Sequence, residues 1–130
     1  MNDLLLDSHA VLWAIYSPAV LPRRLAGLLE DASVNLYISE VTLWELADKA
    51  AKRRLPLAGN SVAQLMTDVE AFGATILPIG RPDILASVLL PLHHGDPFDR
   101  LLIAQAQTRN LVLVTKDADV SKYDVKVLWK

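Results

Sequence analysis

Residues 93–106 read His-His-Gly-Asp-Pro-Phe-Asp-Arg-Leu-Leu-Ile-Ala-Gln-Ala, and this stretch decides how the rest of the chain is interpreted. Asp96 before Pro97 predicts the start of a helix, because aspartate can cap a helix and proline fits its first position. The apolar run that follows predicts that this helix is buried. Asp99 then lies in the first turn of a buried helix, where a carboxylate is costly unless it is paired. An acid there can also complement the helix dipole, so this stretch alone leaves both explanations open.

The composition is that of a globular chain with little net charge. Of its 130 residues 52% are hydrophobic and 22% are charged, there is no cysteine, and the formal net charge is −2. A disulfide framework, a thiolate metal site and a cysteine nucleophile are therefore excluded. Any contact with nucleic acid has to be local, because the chain as a whole is not basic. With no apolar run of membrane-spanning length and no basic start typical of a signal peptide, we expect one cytoplasmic domain over residues 1–130, without membrane contact.

Short apolar runs alternate with helical patterns along the whole chain. Strands are predicted at residues 4–6, 36–38, 74–79, 111–115 and 125–129. Helices are predicted at 9–15 with Ser8 as cap, from Pro22 to 32, at 41–51 with Ser39 as cap, from Asn60 or Ser61 to 72, at 84–90 after Pro82, and from Pro97 to Asn110, with one further turn at 118–123. This alternation predicts an α/β fold with three layers, α/β/α, around a mostly parallel sheet of about five strands.

Four acidic residues are predicted to meet at one edge of this sheet. Asp7 follows the first strand, Asp117 lies just past the fourth, Glu45 is on the helix after the second, and Asp99 opens the buried helix. In parallel sheets the ligand crevice lies at the carboxyl ends of the strands. Gathered carboxylates repel one another unless a cation neutralises them, and Mg²⁺ or Mn²⁺ prefers such oxygen ligands. The pattern suits metal-assisted hydrolysis of a phosphodiester.

Each of these acids also has an ordinary structural explanation. Glu45 can form an exposed ion pair with Lys49, and Asp48 a similar one with Lys52. Asp7 can be a helix N-cap or a turn residue, and Asp117 can be a loop acid, with Asp119 an equal candidate. The densest basic patch, formed by Lys49, Lys52, Arg53 and Arg54, can equally be a solvated helix end. The adjacent pair His93 and His94, with His9 on a separate helix, is poorly spaced for joint metal ligation and indicates packing or loop polarity.

Four segments, in order along the chain, carry a family resemblance. They are Asp7-Ser8-His9-Ala-Val-Leu-Trp13; Ser39 with Thr42-Leu43-Trp44-Glu45-Leu46 and Lys49; Leu92-His93-His94 running into 96–106; and Leu113-Val-Thr115-Lys-Asp117 followed by Tyr123 and 127–129. Together they resemble the motifs of PIN-domain ribonucleases, specifically the VapC-type toxins of bacterial toxin–antitoxin pairs. The resemblance covers nearly the whole chain.

The resemblance implies an activity, a site and partners. The activity is Mg²⁺-dependent hydrolysis of RNA, with Mn²⁺ as a possible substitute; the partners are a cognate antitoxin protein and a second copy of the chain in a homodimer. The implied metal-binding and catalytic acids are Asp7, Glu45, Asp99 and Asp117, supported by the hydroxyls of Ser8 and Thr115, with Asp117 or Glu45 orienting a water. Contacts to RNA are expected from local cations, namely Lys49, Lys52, Arg53, Arg54 and Arg100.

Two departures and two alternatives accompany the resemblance. Asp48 occupies a position that is more often apolar in the family, and residues 51–54 lack a glycine common there, which bears on the choice of substrate or partner. A catalytically inert PIN-like interaction domain would keep the fold but lose acids, and all four acids are present. A nucleotide-binding α/β module would need a glycine-rich phosphate loop, and neither common form of that loop occurs in the sequence.

Overall fold

The computed structural model describes residues 3–52 and 61–130. Its strands are β1 (Asp3–Leu6), β2 (Asn35–Ser39), β3 (Thr75–Leu77), β4 (Val112–Val114) and β5 (Val127–Leu128). Its α-helices are α1 (Ser8–Tyr16), α2 (Arg23–Glu30), α3 (Glu40–Ala51), α4 (Val62–Phe72), α5 (Arg81–Leu89) and α6 (Pro97–Thr108), with 3₁₀ turns at Pro18–Val20 and Val120–Lys122. None of these helices combines the length and the hydropathy needed to span a membrane.

All five strands are parallel, in the order β3-β2-β1-β4-β5. The central strand β1 therefore pairs with β2 on one side and β4 on the other, with Leu5 opposite Tyr37 and Leu113. Because every strand runs in the same direction, the carboxyl ends of β1, β2 and β4 lie at one edge. The predicted sheet of about five mostly parallel strands is confirmed.

Two hydrophobic clusters cover the two faces of the sheet. Leu4 and Leu6 of β1 belong to one cluster, with buried residues of α1, α2, α3 and α4. Leu5, which points to the opposite face because side chains alternate along a strand, belongs to the other cluster with Leu102 and Ile103 of α6. The helices thus form a layer on each side of the sheet, and the α/β/α prediction is confirmed.

A buried acid joins α5 to α6. Asp83 is only 1% exposed, and its carboxylate accepts hydrogen bonds from the Arg109 guanidinium, the Gly80 amide (2.8 Å) and the Gln105 side chain (3.3 Å). Burial acts to raise the pKa of Asp83, but Arg109 and these hydrogen bonds outweigh it and hold the pKa below its usual value. This carboxylate is fully compensated inside the fold.

Some predicted boundaries differ from the observed ones for identifiable reasons. Asp7, rather than Ser8, caps α1 by accepting from the Ala10 amide at 2.8 Å. The strand predicted at 74–79 is reduced to Thr75–Leu77, since Pro78 has no amide hydrogen and the Ile79 amide donates to the Glu40 side chain instead. α4 begins after Ser61, whose side chain caps it, and the alternative start at Asn60 lies outside the described residues.

Candidate metal and phosphodiester site

The carboxyl edge of the sheet holds a pocket of about 460 Å³ that contains all four acids of interest. β1 leads directly into Asp7, and β4 ends three residues before Asp117. Glu45 comes from the middle of α3, and Asp99 from the first turn of α6. The residues that line the pocket are Asp7, Ser8, His9, Glu45, Lys49, Asp96, Asp99, Lys116, Asp117 and Ala118.

Within the pocket, three carboxylates form a tight group. One oxygen from each of Glu45, Asp96 and Asp99 lies within 4.8 Å of the other two. Asp96 also caps α6, since its Oδ1 accepts from the amides of Phe98 (2.9 Å) and Asp99 (3.2 Å). The predicted cap is therefore correct, and the same residue adds an acid to the pocket that the sequence reasoning did not include.

The group fits a small, hard cation by the chemistry of its donors. Every donor is a carboxylate oxygen, which is the ligand type that Mg²⁺ and Mn²⁺ favour. Oxygens bound to one ion at about 2.1 Å are at most about 4.2 Å apart. Binding such an ion to all three residues therefore requires their oxygens to move closer together than the 4.8 Å within which they lie.

The electrostatics of Asp99 reflect this crowding. Burial raises the pKa of Asp99 to about 6, and the neighbouring charges of Asp96 and Glu45, with a further contribution from Asp117, act in the same direction. A hydrogen bond from His94 opposes the rise. An Asp99 that only complemented the helix dipole would have a lowered pKa. The raised pKa of Asp99 comes instead from burial, reinforced by repulsion from the neighbouring carboxylates, which favours a role that involves a cation.

The Asp7 carboxylate caps α1 and also accepts a hydrogen bond from Thr115, which follows β4. Burial raises its pKa, while hydrogen bonds from Thr115 and the Ala10 amide lower it. The Thr115 hydroxyl oxygen also accepts from the Asp117 amide at 3.1 Å. Thr115 thus connects two of the predicted acids, as the position of its hydroxyl in the sequence suggested.

Glu45 is fixed from two directions. The Ser8 hydroxyl donates a short hydrogen bond to Oε1, and Lys49 Nζ lies 3.0 Å from Oε2. Glu45 is only 8% exposed, so its pairing with Lys49 is not the solvated surface pair that the sequence also allowed. The Asp48–Lys52 pair (2.9 Å) one turn on is such a surface pair, with 54% of the Lys52 side chain exposed.

The cations predicted to contact RNA have different surroundings. Lys49 lines the pocket, whereas Lys52 is paired with Asp48 on the outer side of α3. Arg53 and Arg54 lie outside the described residues. Arg100 donates to the backbone oxygens of Ser87, Leu90 and Pro91 at the end of α5, at 3.0, 3.2 and 2.9 Å respectively. Its guanidinium is thus held at the end of α5, and the RNA contact of Arg100 stays a prediction.

One cation of the pocket was not singled out from the sequence. Lys116 lies between Thr115 and Asp117 and places its Nζ 4.2 Å from the centre of the Trp13 ring. His9, on α1, also lines the pocket. The position of Lys116 directly after a predicted strand end was the available signal, since that end leads into the predicted crevice.

An exposed apolar face is formed by α5 and the residues that follow it. Its large hydrophobic side chains are between 50% and 83% exposed and are Ile84, Leu85, Val88, Leu89 and Leu92. A groove at the start of this face is completed by Trp44 of α3 and Phe98 of α6, whose rings meet edge-on at 4.8 Å. Exposed apolar side chains in this number are typical of a surface that another protein covers.

Comparison with known proteins gives consistent results. The sequence pattern of the PIN domain matches residues 4–126. Ribonuclease VapC22 of Mycobacterium tuberculosis (strain ATCC 25618 / H37Rv) is 34% identical over 122 residues, which cover 90% of this chain and 88% of that protein.

Solved structures agree in fold. VapBC2 of Rickettsia felis, bound to a DNA fragment from its promoter, has a TM-score of 0.73 at 17% identity and covers 98% of this chain and 99% of the other. DNA-bound VapBC of Salmonella typhimurium has a TM-score of 0.72 at 20% identity, with 98% of each chain covered. At these identities the structures establish the architecture alone.

Proposed function

The chain belongs to the PIN domain family, and from that premise we propose that it is a metal-dependent ribonuclease and the toxin of a toxin–antitoxin pair. One observation carries the proposal, namely the gathering of Glu45, Asp96 and Asp99 in a pocket that Asp7 and Asp117 complete. A curated relative of similar length is named a ribonuclease. We further propose that residues 1–130 act as one domain in the cytoplasm. An inert interaction domain and a nucleotide-binding module are not favoured.

We assign the divalent ion, Mg²⁺ with Mn²⁺ as a substitute, to Asp7, Glu45 and Asp99, with Asp117 completing the pocket. Asp96 is an additional ligand in this proposal, because the cap of α6 uses Oδ1 and leaves Oδ2 available. When bound, the ion supplies positive charge for the developing charge on the phosphate and makes an attacking water more acidic.

The chain's own residues have separate tasks in the hydrolysis. Asp117 or Glu45 orients the attacking water and accepts its proton. Ser8 and Lys49 keep the Glu45 carboxylate in one orientation, and Thr115 does the same for Asp7. Such fixed orientation lowers the cost of reorganisation during the reaction.

RNA affinity is expected to come from the cations at the pocket rather than from the whole surface. Lys116 and Lys49 line the pocket and can each neutralise a phosphate beside the cleaved bond. Lys116 is the stronger candidate because it is exposed, whereas Lys49 is paired with Glu45. Lys52, Arg53 and Arg54 would extend this contact along α3 and beyond.

Purified protein incubated with single-stranded RNA tests the activity. We expect slow cleavage with Mg²⁺ or Mn²⁺ and none in excess chelator. Asp99→Asn should reduce the rate at least about a hundredfold, because charge stabilisation by an ion contributes several kcal/mol. Asp119→Asn is a matched control, since this exposed aspartate pairs with Lys122 outside the pocket. Cleavage that persists in chelator would show that the site does not act through a metal.

Expression in bacteria tests the role as a toxin. We expect growth arrest when the protein is produced alone, relief when its antitoxin is produced with it, and no arrest with Asp7→Asn. Normal growth with abundant wild-type protein would favour the inert interaction domain.

A homodimer is part of the same proposal, and the apolar face of α5 is the surface that we assign to it. Leu89, at 73% exposure, lies on this face, and Leu89→Asp should shift the molecular mass in solution from dimer to monomer. Val20 is 57% exposed but lies on the 3₁₀ turn after α1, so Val20→Asp is a matched control that should leave the mass unchanged. An unchanged mass for Leu89→Asp would exclude this face.

A further inference from the structure

The loop before α6 brings His94 between Tyr123 and Asp99. The Nδ1 atom of His94 lies 2.8 Å from the Tyr123 hydroxyl, and its Nε2 atom lies 3.4 Å from Asp99 Oδ2. The side chain of His94 is 16% exposed, so the ring has little freedom to make other contacts. The two ring nitrogens therefore connect a core tyrosine to a pocket acid.

The contacts of the Tyr123 hydroxyl favour one tautomer of the His94 ring. This hydroxyl has one proton, and its oxygen already accepts from the His94 amide (3.3 Å) and from Arg100 Nη1 (3.3 Å). Its own proton is left for His94 Nδ1, the nearest acceptor. A neutral imidazole whose Nδ1 accepts must carry its hydrogen on Nε2. That hydrogen is directed at Asp99 Oδ2.

We propose that His94 is a positioning residue that orients the Asp99 carboxylate toward Glu45 and Asp96, and that Tyr123 fixes the tautomer in which it does so. Through Oδ2 the histidine sets the rotation of the carboxylate, and Oδ1 remains available to a cation. The 3.4 Å separation is long, and contacts of this kind shorten when the site is loaded. The inference rests on the proposed function, because the orientation matters for ion binding.

Arg100 holds Tyr123 in place, and Tyr123 in turn contacts His94. It anchors the end of α5 through three backbone oxygens and donates to Tyr123 from the same guanidinium. Arg100 thus follows Asp99 in the sequence and supports the geometry of the site through Tyr123, from outside the pocket.

His93 provides an internal control for this proposal. Its ring packs edge-on against Tyr123 at 4.8 Å, whereas His94 is the histidine whose ring nitrogens lie within hydrogen-bonding distance of Tyr123 and Asp99 in the described part of the chain. Two adjacent histidines touch the same tyrosine, and only His94 is expected to affect the ion site.

Nitrogen NMR of the metal-free protein tests the tautomer directly. We expect His94 to carry its proton on Nε2, and we expect Tyr123→Phe to populate both tautomers, because Nδ1 then loses its donor. The Nε2 proton should move upfield in Asp99→Asn, which removes the charged acceptor. A proton on Nδ1 in wild type, or no change in Asp99→Asn, would overturn the proposal.

Mn²⁺ titration by calorimetry tests the consequence for the site. An asparagine amide reaches the position of Nδ1, and a glutamine amide that of Nε2. His94→Asn should therefore raise the Mn²⁺ dissociation constant about tenfold or more, as is typical when the orienting partner of a ligand is lost. His94→Gln should bind Mn²⁺ nearly as wild type does, and His93→Asn should be unchanged. Tight binding by His94→Asn would overturn the proposal.

The two measurements separate failure of this inference from failure of the proposed function. If wild-type protein binds no Mn²⁺, the proposed metal site is wrong, and the nitrogen spectra still decide whether His94 donates to Asp99. If wild type binds Mn²⁺ and all the histidine variants bind equally well, the site stands and the positioning role of His94 is refuted.

Discussion

Two acids on neighbouring helices, one buried and one half-buried, have pKa values shifted in opposite directions. The Asp83 side chain is 2% exposed and its pKa is lowered, whereas the Asp99 side chain is 25% exposed and its pKa is raised to about 6. The more deeply buried carboxylate, that of Asp83, is the one whose charged form is stabilised, because Arg109 and several hydrogen-bond donors surround it. Asp99 faces Asp96 and Glu45 instead. Burial alone therefore does not mark a functional acid, but burial among like charges does.

The largest effect on stability is expected at Asp83, whose charge is paired with Arg109. Asp83→Asn removes the charge that Arg109 pairs with and should lower the free energy of unfolding by about 3 kcal/mol, as expected for a buried pair that loses one partner. Urea unfolding, followed by circular dichroism, measures the change. Asp31→Asn, at an exposed acid between α2 and β2, is the control and should change stability little. Only a small loss of unfolding free energy in Asp83→Asn would contradict the proposed difference between Asp83 and Asp99.

The second effect is the response to Mg²⁺. At a hundredfold excess over its dissociation constant, Mg²⁺ should stabilise wild type by about 2.7 kcal/mol, because it binds only the folded protein. Asp99→Asn should abolish most of this gain, since it removes a charge from the group that would hold the ion. Thermal melting with and without Mg²⁺ measures both proteins. An equal upward shift for the variant would show that Asp99 takes no part in binding the ion.

The third effect has the opposite sign to that of Asp83→Asn. Without metal, Asp99→Asn should raise the stability by about 1 kcal/mol, because it relieves repulsion that partial exposure already weakens. If Asp99 served only the helix dipole, the same substitution would lower stability by about 0.3–1 kcal/mol. Melting in chelator decides the sign.

The smallest effect is a dependence on pH. The folded state holds Asp99 with a pKa of about 6, above the ordinary value of 3.8, so the folded protein takes up a proton that the unfolded chain does not. The contribution of Asp99 should thus become more favourable as the pH of the metal-free protein falls from 7 to 5. The advantage of Asp99→Asn over wild type should shrink over the same range. A difference that is constant with pH would contradict the raised pKa.

The sequence predicted the fold well because each element carries its own signal. Asp96-Pro97 starts α6, Gly73 ends α4 with a φ of 88°, and the valine-rich run before Thr115 forms β4. Boundaries that depend on a hydrogen-bond choice were less predictable. Asp7 and Ser8 are both good caps, and only the reach of Ser8 to Glu45 shows why the aspartate takes the cap.

The residues that line the pocket were predictable where they directly follow a strand. They were less predictable where a side-chain contact determines their position. Asp7 and Asp117 follow directly from the topology. Asp96 was recognised as a cap but not as a pocket acid, because the sequence does not show that one of its carboxylate oxygens lies within 4.8 Å of oxygens of Glu45 and Asp99. Arg100 was interpreted as an RNA contact, and the structure engages it with carbonyls at the end of α5. Long side chains are the least predictable, since several partners lie within their reach.

The pairing of β1 with β4 has a consequence for the cell that makes this protein. Leu4 pairs with Val112, so the central strand cannot complete its pairing until a segment more than a hundred residues further along the chain has been synthesised. Contacts so distant in sequence form late, after a large loss of chain entropy. Thr115 and Asp117 leave the ribosome later still. A nascent chain that has not yet released Thr115 and Asp117 therefore lacks part of its acid pocket, and an enzyme proposed to cut RNA stays harmless to the message that encodes it until these residues have emerged.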